Sequence, residues 1–141
     1  MEKYIILTGI FNIEMIESRK ICIDASTICQ LRCPSCPTAT GETDKGIGRG
    51  FLRFEDFKEI VERNPQIYSI ELSNWGEIFL NKELGRIIEY AYMHNIALSA
   101  VNGANINNVT EDTLEALVKY KFRHSIKRKG KNIKLSKNFR N

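Results

Sequence analysis

Between Ile21 and Lys121 a short run of β-branched residues, a loop and an amphipathic helix follow one another three times, and this alternation limits the fold more than any other feature. Residues 21–25 (Ile-Cys-Ile-Asp-Ala) read as a first strand, 67–73 as a second and 96–101 as a third, each rich in Ile, Val or Leu. A first helix is predicted over 54–64, with Phe54, Phe57, Ile60 and Val61 on one face and Pro65 forcing its end. A second spans about 82–94 with Leu84, Ile87, Ile88 and Ala91 as its stripe, and Asn95 is the stop. Thr110 is a good N-cap for a third, whose face is read from Leu114, Leu117 and Val118 and whose end falls near Lys121. A fourth strand is due at 122–126. Such a pattern predicts an α/β chain of right-handed βαβ units on a parallel sheet with helices outside.

The loops on one side of this pattern are unusual. In a parallel sheet the carboxyl ends of the strands form the ligand edge. Cys29, Cys33 and Cys36 follow the first strand, Trp75-Gly76-Glu77 the second, and Asn102-Gly103 the third. Thiolates are soft ligands, and three of them spaced three and then two residues apart suggest a loop wrapped around a metal centre. Three ligands on a four-iron cluster would leave one iron open to a reactant. A structural zinc site, with Cys22 as fourth ligand, is the competing reading; a dithiol role for Cys33 and Cys36 would not need Cys29. The connection over 41–50, with four glycines, reads as mobile and without helical period.

From residue 21 to about 124 these features resemble the radical S-adenosylmethionine enzymes, in the branch whose members often carry a further C-terminal SPASM-type cluster domain. The resemblance rests on Cys29-x3-Cys33-x2-Cys36 after a strand, on Gly76-Glu77, similar to the family's Gly-Gly-Glu-Pro segment, and on Asn102-Gly103, similar to a Thr-Asn-Gly turn. It departs from the family at Ser35, usually aromatic, at Trp75 and Ile78, and at Val101. The resemblance implies a partial (β/α) barrel truncated after about three to four units, a [4Fe-4S] cluster on the three cysteines, and S-adenosylmethionine held near Gly76, Glu77 and Asn102. It implies reductive cleavage to a 5′-deoxyadenosyl radical, and an electron donor such as a flavodoxin or ferredoxin. No substrate and no catalytic residue can be assigned, and with family members continuing for further units, little turnover is expected of this chain alone.

Charge adds a limit. Of the 21 Lys and Arg, seven lie in residues 125–141, which hold no acid, so the rest of the chain is mildly acidic and the net +4 belongs to the tail. The tail reads as a solvated, disordered end, without the interleaved aromatics of a nucleic-acid site. Its abrupt onset looks like that of a truncated or frame-shifted copy. The layout is thus a lead-in over 1–20, a truncated core over 21–124 and a basic tail over 125–141. Free thiols and the lack of a convincing leader or membrane span place the chain in the cytoplasm. An unfinished barrel is expected to expose apolar area and to self-associate. The alternative function is a zinc-stabilised binding module whose basic tail meets nucleic acid or another acidic partner.

Overall fold

The structure, a computed structural model, describes residues 3–8, 12–17, 19–128 and 131–133. A separate antiparallel hairpin comprises β1 (Lys3–Thr8) and β2 (Asn12–Glu17). The main sheet has five strands in sequential order: β3 (Arg19–Cys22), β4 (Ile67–Glu71), β5 (Ala97–Ala104), β6 (Arg123–Arg128) and β7 (Lys131–Ile133). β3 to β6 run parallel and β7 returns antiparallel beside β6. The α/β fold expected from the alternation, and the partial barrel that the resemblance implies, are therefore present. Although β3 ends at Cys22, the Ile23 and Ala25 amides still donate to Glu71 and Leu72 of the neighbouring chain segment, at 2.9 and 3.1 Å. The extended run predicted over 21–25 is real.

Three longer helices, α3 (Phe54–Arg63), α4 (Leu84–Met93) and α5 (Glu111–Lys119), bury one face each over Ile70, Leu72, Leu98 and Ala100 of the sheet. Phe57 and Val61, then Leu84, Ile87, Ile88 and Ala91, are buried as the spacing predicts. Asn95 stops α4 in the left-handed region (φ 58°). For α5 the predicted stripe holds only at Leu117. Leu114 and Val118 are 40% and 63% exposed, whereas Thr113, Ala116 and Leu117 are buried. At the approach to α4, where a Cβ on Gly85 would lie 3.9 Å from Thr113 Oγ1, the smaller Thr113 takes the inward position and Leu114 turns out.

The sheet face away from the helices carries Lys20, Cys22, Asp24, Ser69, Glu71, Ser73, Ala97, Ser99 and Val101, by their register and alternation. It is mainly polar, unlike the apolar face expected of an unfinished barrel, because the buried carboxylate of Glu71 organises its centre.

The glycine-rich connection is also more ordered than expected. It forms α1 (Pro37–Thr40) and α2 (Glu42–Gly46), and residues 50–52 then lie along 25–27, with Thr27 N to Gly50 O at 3.0 Å and Leu52 N to Ala25 O at 3.1 Å. At the far end of the core, β6 crosses the predicted boundary at 124/125 and reaches Arg128. The expected disordered tail otherwise falls largely on 134–141, outside the described residues.

Candidate ligand mouth at the carboxyl edge

Four side chains lock the loops at the carboxyl edge to one another. Asp24 Oδ1 accepts the Asn74 and Trp75 amides at 3.1 and 2.9 Å. Asn81, 3% exposed, donates to Ala25 O and Leu52 O, both at 2.8 Å, and accepts the Glu83 amide. Ser26 folds the next turn through both backbone groups of Ile28, and Thr38, on α1, donates to Trp75 O at 2.6 Å. The cysteine loop is thereby fastened to the loop after β4. None of the four was singled out from sequence, since isolated Asp, Asn, Ser and Thr in loops carry no distinguishing spacing.

Gly76 is where the two loops touch. A Cβ there would stand 1.9 Å from Ser26 O and 2.4 Å from Ser26 C, so the residue permits backbone to meet backbone. Gly76 thus makes its close backbone approach to the protein's own chain. The adjacent Glu77 amide donates to Ile28 O at 2.9 Å.

Glu77 is buried, and its carboxylate accepts the Phe79 amide at 3.2 Å and the Asn105 amide at 2.6 Å. Burial pushes its pKa up and the two amides oppose this. Each oxygen keeps a lone pair for a further donor. Cys29 senses Glu77 directly: its thiol is raised by burial, lowered by the Leu31 amide (3.4 Å to Sγ), and raised again by the charges of Glu77, Cys33 and Cys36. Burial also acts to raise Cys36, but the amides of Thr38 and Ala39 and the Thr38 hydroxyl outweigh it and hold the thiol below its usual value.

Three predicted ligands and Glu77 therefore share one edge. Among the described residues no group of three or more His, Cys, Asp or Glu is arranged to hold a metal ion; the cysteines share a loop rather than a single focus. In number and softness the donors fit an iron–sulfur group, and the mutual repulsion felt at Cys29 is what a cation would relieve. Cys22 is not among the charges that act on Cys29. It stands on β3 in register with Glu71, away from the loop.

Asn102 is exposed and forms no side-chain hydrogen bond among the described residues. It does not sit in a turn that ends its strand. β5 continues to Ala104, and its register partner moves from His124 at Ala100 to Ile126 at Ala104, so Val101 to Gly103 bulge outward with Gly103 at φ 105°. Two carboxylates hold this bulge. Glu77 takes the Asn105 amide, while Glu71, 4% exposed, accepts the Val101 amide at 3.0 and 3.2 Å, both groups of Ser73, and the Ser99 hydroxyl. Burial raises Glu71, yet these donors prevail and hold it below the ordinary glutamate value. Glu71 was missed; the signal was a carboxylate inside an otherwise apolar strand, which must be paired if buried.

A cavity of about 140 Å³ lies beside the cysteine loop, lined by Thr27, Cys29, Arg32, Thr38, Asp44 and Arg49 among others. A larger one, about 480 Å³, opens at the opposite end of the strands between Tyr92, Met93, Ile96, Tyr120 and Phe122. It gathers no thiol or carboxylate, so its size does not make it the site.

No protein-family model matches the sequence and no curated protein matches it significantly. Solved structures do match. The crystal structure of BtrN in complex with AdoMet and 2-DOIA superposes with a TM-score of 0.57 at 16% identity, over 77% of this chain and 45% of that one. Selenomethionine BtrN in an open conformation gives 0.58 at 16% identity, over 77% and 49%. The fold is that of the BtrN structures. The chain spans somewhat less than half the length of the BtrN chains, and among its described residues no helix is long and apolar enough to cross a membrane. At this identity the likeness is one of fold, and in this chain that fold carries the cysteine loop, Glu77 and the β5 bulge on one edge.

Proposed function

We propose that the chain is part of a radical S-adenosylmethionine enzyme core, binding a [4Fe-4S] cluster through Cys29, Cys33 and Cys36 and S-adenosylmethionine beside it. The observation that carries this reading is the placement of three thiols and a buried glutamate on the carboxyl edge of a fold shared with an AdoMet complex. When bound, such a cluster supplies the electron for reductive cleavage of S-adenosylmethionine to a 5′-deoxyadenosyl radical. The chain's own contribution is orientation. Glu77 has a lone pair free for the cofactor's ammonium, and Asn102, raised on the bulge, offers an unpaired amide. A flavodoxin- or ferredoxin-type donor is the partner proposed for electron supply, in the cytoplasm. The SPASM-bearing branch is supported by Gly76-Glu77 and Asn102-Gly103 alone. With the BtrN chains about twice as long, we expect little or no turnover without further barrel.

Anaerobic reconstitution tests the reading. Iron and sulfide should reach about four each per chain, with a paramagnetic signal on reduction. Replacing Cys29, Cys33 and Cys36 together by Ala should abolish both, and Cys22→Ala should leave them unchanged. A colourless protein holding one zinc, released by Cys22→Ala, would sink the proposal and favour the zinc module.

A further inference from the structure

Trp75 is the one tryptophan of the chain, and the structure leaves it 44% exposed at the carboxyl edge. Its main chain has no slack. The amide donates to Asp24, the carbonyl accepts from Thr38, and the next residue, Gly76, is wedged against Ser26. Among the described residues the indole meets no other ring and no cation. A ring exposed because its loop is loose would mean little; this one stands out from a backbone fixed on both sides, one residue from the Gly76 contact and two from Glu77. Leaving so large an apolar surface in water is unfavourable, and fixing it there preorganises a platform. The neighbouring cavity, about 140 Å³, is smaller than the roughly 300 Å³ at which cofactor pockets begin. A nucleoside at this edge must therefore lie on an open surface, where an aromatic face is the usual means of holding a base.

We infer that the Trp75 indole forms a wall of the mouth and stacks on the adenine of the bound cofactor. This rests on the S-adenosylmethionine reading and adds a contact that neither the cysteines nor Glu77 provides. Equilibrium dialysis of the reconstituted protein against S-adenosylmethionine should show Trp75→Ala binding about tenfold more weakly and Trp75→Phe nearly as well as the unsubstituted chain, with iron content equal in all three. As the single indole, Trp75 also reports on itself: its emission in the unsubstituted protein should change with S-adenosylmethionine and with 5′-deoxyadenosine, and not with methionine. Binding without any change in emission, or equal affinity for the Ala variant, overturns the stacking contact and leaves the cofactor reading intact. Failure of the unsubstituted protein to bind S-adenosylmethionine at all overturns both.

Discussion

Gly76→Ala should destabilise the protein by about 4 kcal/mol, the upper end of what single substitutions do. The added methyl would meet the Ser26 carbonyl at 1.9 Å, its carbon at 2.4 Å and the Thr27 nitrogen at 2.9 Å. All three atoms are backbone, so no side chain can rotate away. The Glu77 amide to Ile28 bond and the Asp24 and Thr38 ties around Trp75 would be pulled apart with the same movement. Urea unfolding followed by circular dichroism reads the loss. Gly85→Ala is the control, since its Cβ meets nothing nearer than 3.9 Å and a helical Ala is favoured by about 0.5–1 kcal/mol. If Gly76→Ala unfolds at the same urea concentration as the control, the close contact between the two loops is wrong.

Glu71→Leu should cost about 3 kcal/mol, because the Val101 amide, the Ser73 amide and the Ser73 and Ser99 hydroxyls are left without their acceptor in a buried site. Glu71→Gln keeps one acceptor oxygen and should recover about half of that. The pH dependence has a definite sign. A carboxyl held below its ordinary value in the folded state stabilises the protein above that ordinary value, and the contribution is lost as pH falls through the folded value. The stability gap between the unsubstituted protein and Glu71→Gln should therefore narrow in acid. A gap that widens as pH falls would show that Glu71 is protonated at neutrality. Glu77 should behave oppositely: burial holds its value up, so its ionised form costs stability at neutral pH and that cost disappears in acid.

The alternation of strands and helices was legible because each helix has a one-sided stripe and each strand a compact apolar run. Phe57, Ile87 and Leu98 are buried where periodicity puts them. Leu114 and Val118 were misread because hydropathy alone cannot tell that α4 and α5 approach closely enough to prefer Thr113 and Ala116 between them. At the edge, the cysteine spacing, Glu77 and Asn102 stood out as residue types, and the structure gathers them on one side of the sheet. What sequence did not reveal was the support beneath them. Asp24, Thr38, Asn81 and Glu71 act across 30 to 56 residues of chain in their longest ties, and no local pattern records such a partner. Gly76 stood out beside Glu77, but its backbone contact with Ser26 leaves no mark in the local sequence.

The antiparallel return of β7 has a consequence for assembly. Strands β3 to β6 could be extended indefinitely by further parallel units, but the outer edge of β6 is paired with Lys131–Ile133 through Ile126, Lys127 and Arg128. Another parallel strand can join there only by displacing this hairpin. A strand of three residues makes a poor template for a neighbouring chain, so β7 both occupies this edge of the sheet and blunts it. On that side the sheet is closed by its own antiparallel return, and any further parallel strand must begin by peeling it away.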